Sequence, residues 1–264
     1  MSKLNNIWRS LKLNYKSWLI LIASNVILSW PNILHGFLEY AINTCILYYG
    51  HVISHWEIFY PFNYGHIYHH KNVNILSSII QILIEIFAVM TLYIFIITIF
   101  GKNSLNAFTV LMFSIFYTTI HNINYSILHV NKVHEKHHND VKYNYGPDII
   151  DIIMDTKHDV ENDLENTDHY IANILIATTI AYYAKKKYNL LNENSKTNVI
   201  YFLIMIYIIM LNILFFLTVY AFYITKKDVV EKIINGGLED LFMEFMEERW
   251  KYIENYLLRK ANIN

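Results

Sequence analysis

The chain has 264 residues, of which 55% are hydrophobic, 16% aromatic and only 16% charged, with a formal net charge of −1. That balance is too apolar for an ordinary water-exposed domain, and it lacks the basic field that nucleic-acid binding needs. The single cysteine, Cys45, excludes a disulfide framework, and three prolines with seven glycines argue against a turn-rich β protein.

Long aliphatic runs with few breakers predict an all-α chain. Lys3, Arg9, Lys12 and Lys16 precede "SWLILIASNVILSW" (17–30), which runs past Pro31 into "NILHGFLEYAINTCILYYG" (32–50). No small-residue cleavage site follows, so residues 1–50 read as a basic segment with membrane anchor helices rather than a signal peptide. A membrane hairpin is expected over 75–120, from "ILSSIIQILIEIFAVMTLYIFIITIF" (75–100), the turn "GKNSLN" and "AFTVLMFSIFYTTI" (107–120). A spanning helix needs about 20 apolar residues, a length that 75–100 and 199–224 satisfy outright. Residues 170–227 are assigned to further membrane helices, and 228–264 to an amphipathic C-terminal helix broken at Gly236–Gly237. The basic N-terminus stays cytosolic by the positive-inside rule, and two hairpins then return both histidine-rich segments to that same face. The expected architecture is a multi-pass membrane helical bundle with a helical cap on the cytosolic side.

Thirteen histidines are spread unevenly. "HVISH" holds His51 and His55 as HxxxH, and "HIYHH" holds His66, His69 and His70 as HxxHH. Beyond the hairpin, "HNINYSILHVNKVHEKHH" adds His121, His129 and a second HxxHH at His134, His137 and His138. At this histidine frequency one HxxHH arises by chance only about 0.03 times per chain. On a helix, positions i, i+3 and i+4 share a narrow arc, so each motif aims its imidazoles to one side. Neutral imidazole suits Fe, Zn, Cu or Ni rather than Mg or Ca. Ten such ligands exceed what one ion uses, which points to a two-metal site.

Pro61 and Gly65 are expected to interrupt one helix so that both halves of 51–70 face the metals. His121 and His129 share a metal only where the helix between them ends, since eight residues of straight helix span about 12 Å. His169, its neighbour Asp168 and Tyr125 are candidates for a further ligand or for a group that holds one in place. His35 reads as a hydrogen-bonded core residue and His158 as a loop residue. Glu85, an ionisable residue inside an apolar run, faces a cavity or a partner rather than lipid, and is a substrate-cavity candidate.

The ordered motifs resemble the fatty acid hydroxylase/sterol desaturase superfamily of integral-membrane di-metal oxidases. The family pattern runs HxxxH, HxxHH, a membrane hairpin, a further His and a final HxxHH; the likeness covers roughly 51–157, within a catalytic core assigned to 51–169. "NDVKYNYGPDIIDIIMDTK" (139–157) is similar to the family's Asn-Tyr-Gly turn, aspartate and closing Gly-Thr, with Asp155 in place of that Gly. Tyr125 stands where the family often has the second His of an HxxxH. The resemblance implies two irons, with zinc able to occupy the isolated protein, and O₂ as co-substrate. It further implies hydroxylation of a lipid C–H bond in a fatty acid, sphingolipid or sterol, fed by an external cytochrome b5-type donor or reductase. It places the enzyme in an endoplasmic-reticulum-like membrane in a eukaryotic cell. Desaturation and ether-lipid or aldehyde chemistry use the same core. A histidine-rich metal transporter is the rival from another class, disfavoured because transporter ligands lie within spanning helices and these lie at their ends.

Overall fold

The computed structural model describes residues 2–56, 63–72 and 74–227, with five isolated positions between 246 and 254. The expected C-terminal amphipathic helix and Pro61 therefore lie outside the described residues. The chain is helical, with no strand among the described residues. In order come α1 (Lys3–Ser29), α2 (Ile33–Ser54), α3 (Tyr64–Lys71), α4 (Ile75–Phe100) and α5 (Ala107–Thr119). A π-helical turn (Ile120–Tyr125), α6 (Val133–Asn139), α7 (Asp148–Ile153), a 3₁₀ turn (Thr167–His169), α8 (Tyr170–Asn189) and α9 (Glu193–Thr225) complete it.

Asparagines set many of the helix starts. Asn32, Asn74, Asn106 and Asn192 each accept a backbone N–H from the first turn of α2, α4, α5 and α9, satisfying donors that have no partner inside the helix. At the other end of α4, Gly101 takes φ 93° as the chain turns toward α5, a conformation glycine adopts without a Cβ clash.

Two packed groups meet at α4, which contacts α5 on one side and α3 and α9 on the other. In the first, α1, α2, α5 and α8 surround a core that includes Leu28, Met112, Phe113 and Ile174. Ala177 and Ala181 are wholly buried one turn apart on α8, which lets that helix lie close to α5. In the second, α3 and α9 flank α4 around Tyr64, Tyr68, Ile80 and Ala221.

Among the described residues, α4 and α9 are the two helices long and apolar enough to cross a membrane. α1 and α2 have the length but not the composition. The buried side of α1 carries Asn6, Ser10, Asn14, Ser17, Ser24 and Asn25, and that of α2 carries Glu39, Asn43 and His51. Their polar faces turn inward on protein, not outward on solvent.

The break within 51–70 differs from expectation. α2 ends at Ser54 and α3 begins at Tyr64, so Gly65 lies inside α3 rather than at the interruption. Its role is contact: a Cβ there would stand 2.7 Å from Ile84 Cδ1 and 2.9 Å from Ile80 Cγ2. Glycine lets α3 press directly on α4.

Candidate metal centre

The ends of four elements converge. α2 delivers His51 and His55, α3 delivers His66, His69 and His70, the π-helical turn delivers His121, and α6 delivers His134, His137 and His138. Among the described residues, His51, His55, His70 and His137 form one group, and His69, His121 and His138 a second. In each, the ligand atoms lie within 4.8 Å of one another. His66 joins the first, its Nε2 3.0 Å from that of His55 and 3.2 Å from that of His70. His134 joins the second, with Nε2 3.0 Å from that of His138 and its ring 4.5 Å from that of His121. The groups abut where the rings of His70 and His138 lie 4.2 Å apart.

Hydrogen bonds fix which nitrogen of several rings is free. His51 Nδ1 donates to the Tyr145 carbonyl and His137 Nδ1 to the Tyr143 carbonyl, each at 2.6 Å. A carbonyl only accepts, so both rings carry their proton on Nδ1 and leave Nε2 as a bare lone pair. Yet those two Nε2 atoms stand 3.0 Å apart. Two neutral lone pairs repel at that distance; a shared cation converts the repulsion into coordination. Nitrogens about 2.1 Å from one ion at a right angle are about 3 Å apart. In the second group, both nitrogens of His69 and Nε2 of His121 are buried with no hydrogen-bond partner, a costly state that a metal relieves. The residues fit a metal pair.

The electrostatics point the same way. Burial, reinforced by neighbouring imidazoles, drives protons off the cluster, moving His66 to about 3 and His137 and His138 to about 4. His51, His55, His69, His70 and His134 shift down for the same reason. Neutral rings at pH 7 are what a metal requires.

The carbonyls that orient His51 and His137 belong to the turn 143–146. Asp151 accepts the backbone N–H groups of Tyr145 and Gly146 and the Thr156 hydroxyl. The Asn144 N–H donates to the Thr156 carbonyl at 2.8 Å, and Asn144 takes φ 58°. Asp155, standing for a glycine, also takes φ 58° and accepts Lys3 Nζ at 2.8 Å. That left-handed conformation explains the glycine preference, and Asp is among the few other residues that adopt it at modest cost.

The remaining sequence candidates fall elsewhere. The helix does end after the π-helical turn, but His129 adopts φ 47° and is exposed, outside both groups. The Tyr125 hydroxyl donates to Glu165 at 2.5 Å while its ring stacks on His134, with centroids 4.7 Å apart. His169 Nε2 is 3.1 Å from the same Glu165. The Tyr125 hydroxyl and His169 Nε2 thus face a buried carboxyl, and Tyr125 braces His134 by its face. Asp168 is exposed beside Lys16 at 3.4 Å. His35 pairs with buried Glu39 at 2.8 Å, and His158 lies 3.6 Å from Asp163. Glu85 does not line the cavity described below; it sits behind His121, accepting from its Nδ1.

Residue-level reading of the sequence left out Gln81, Asp151, Glu165 and the 143–145 carbonyls. A sequence signal did exist for one of them: "QILIE" places two polar side chains a single helical turn apart in an otherwise apolar run.

A cavity opens beside both groups, with His51, His121 and His134 in its wall. It runs between α1, α2, α5 and α8 past Trp18, Leu21, Leu47, Phe113 and Ile174.

The fatty acid hydroxylase family model matches residues 37–156, whereas no curated protein and no solved structure matches the chain. The matched span begins on α2 and contains every histidine of both groups, the 143–146 turn and Thr156. The region that carries the two histidine groups and the turn that orients them is thus similar to the fatty acid hydroxylase family, within the fatty acid hydroxylase/sterol desaturase superfamily.

Proposed function

We propose that the protein is a membrane-bound, O₂-dependent lipid hydroxylase working through a pair of irons. The observation that carries this reading is the continuity of an apolar cavity with both histidine groups. A cavity walled by Trp18, Leu21, Leu47, Phe113 and Ile174 suits an alkyl chain, not a sugar or nucleotide. Zinc can take the iron sites in isolated protein, since imidazole suits both.

When bound, the metals supply binding and reduction of O₂. The protein's share is position. His51, His121 and His134 bring the metal groups to the cavity wall, and the aliphatic and aromatic lining holds the chain and excludes water from it. One oxygen atom enters a C–H bond and the other leaves as water, with two electrons and two protons from an external cytochrome b5-type donor or reductase. The substrate is a fatty acyl, sphingolipid or sterol molecule entering from the bilayer. The exposed apolar surfaces of α4 and α9 support residence in a membrane. The basic residues of α1 support a cytosolic, endoplasmic-reticulum-like orientation of the histidines. Histidine groups at helix ends, rather than along the apolar lengths of α4 and α9, disfavour a transporter.

Lipid profiles of cells expressing the wild type and His137→Ala test this reading. A hydroxylated lipid present with the wild type and absent with the variant is expected. An unsaturated product in its place turns the assignment to desaturation. Unchanged lipids together with metal-dependent uptake overturn it.

A further inference from the structure

α4 is an apolar helix interrupted on its buried side by Gln81 and Glu85, at 2% and 5% exposure. Polar groups in such a helix are costly and need partners, and each of the two has a histidine among its partners. His66 Nδ1 donates to Gln81 Oε1 at 3.0 Å. Gln81 Nε2 donates to Glu85 Oε1 at 2.9 Å, and His121 Nδ1 donates to that same oxygen. Asn122 Nδ2 donates to Glu85 Oε2 at 2.9 Å. The chain of bonds His66–Gln81–Glu85–His121 is continuous, starting in the first histidine group and ending in the second.

We infer that Gln81 and Glu85 are positioning residues that tie the two metal sites together, so that filling one prepares the other. The inference rests on the metal-binding reading above. Each end of the bridge takes the Nδ1 proton of a ligand, leaving His66 and His121 with Nε2 free for an ion. In the middle, the Gln81 amide has one orientation only. Its oxygen faces a donor and its nitrogen faces an acceptor, so neither end can change its bonding without the other. An ion on His66 polarises the Nδ1–H toward Gln81, which strengthens the Gln81 donation to Glu85 and holds that carboxyl against His121. Groups that orient metal-ligating histidines in this way set metal affinity over a 10–100-fold range.

The test is cobalt(II) titration of full-length, metal-stripped protein in detergent, followed by the cobalt absorption spectrum, bound metal per chain and calorimetric affinity. Wild type is expected to bind two ions in a cooperative step. Gln81→Met keeps the side-chain length but carries neither the acceptor nor the donor. It should separate the two steps and weaken cobalt binding by about 10–100-fold. Glu85→Gln, which conserves shape, should weaken one ion by a similar factor and alter the spectrum of that ion alone. The double variant should lose less than the product of the two single losses, the signature of residues in one network. Val89→Ala, on the same helix but outside the bridge, controls for helix packing, and Glu85→Gln carries the test should Gln81→Met not fold. The bridge is overturned by cooperative two-ion binding unchanged in either variant, by losses that simply multiply, or by an equal loss in Val89→Ala. A wild type that binds no cobalt overturns the metal reading itself, and the bridge with it.

Discussion

Four of the clustered histidines have a partner that takes the Nδ1 proton and fixes the ring. For His51 and His137 that is a backbone carbonyl of the 143–145 segment; for His66 and His121 it is a side chain of α4. Asp151 shapes the first pair indirectly by holding the N–H groups of Tyr145 and Gly146. Burial raises its own pKa to about 7, against the opposing pull of these hydrogen bonds. Asp151→Ala removes the acceptor for both N–H groups, and the Tyr145 carbonyl, in the same peptide unit as the Gly146 N–H, loses its aim on His51. Metal affinity of the stripped protein is expected to fall about 10–100-fold, read by competition with a chelator of known affinity. Retention of affinity in this variant would show that the turn is held by other bonds. Asp155 shows the opposite lesson, because a residue that departs from a family pattern is accommodated by the conformation that pattern required.

At the scale of elements, closeness of approach decides where the histidines end up. α1 and α2 are held against each other at Gly36, where a Cβ would stand 2.7 Å from Val26 Cα and 3.1 Å from the Asn25 carbonyl oxygen. Backbone atoms cannot rotate away as side-chain ends do. Gly36→Ala is therefore expected to push the two helices apart at a cost of about 1–3 kcal/mol, measured as a drop in the thermal unfolding midpoint. α2 also carries His51, so the same variant should weaken metal binding without touching a ligand. The π-helical turn after α5 has a comparable effect on register. Its wide turn, in which the Ser126 N–H donates to the His121 carbonyl, places His121 and Asn122 together against Glu85. Such turns recur at functional sites because they shift side chains around the helix axis.

For the molecule as a whole, the cluster of depressed imidazoles links folding to acidity. Folded His66, His137 and His138 titrate at about 3 to 4, below the 6.5 of an unperturbed imidazole. Between these values the unfolded chain binds protons that the native protein does not. Stability is therefore full above pH 6.5 and is lost as the pH falls through about 4. Metal-free protein in detergent should show its thermal midpoint dropping steeply over that window. A flat profile would mean that the rings are open to water.

Residue type and spacing alone determined the helical class, the two long apolar helices, the bounds of α4 and the members of both histidine groups apart from His129. Periodicity suffices there, because a helix face and an apolar run are local properties. The asparagine caps of α2, α4, α5 and α9 are local as well, each side chain accepting from an N–H two or three residues on. Tertiary structure decided the rest. Whether His129 points in or out depended on a left-handed turn after the helix, and whether Tyr125 bound a metal or braced His134 depended on Glu165, 40 residues away. Glu85 lies behind His121 rather than in the cavity wall because His121 arrives beside it from another helix. A hydrogen-bond partner distant in the chain leaves no periodic trace, so its pairing is visible only once the helices have packed.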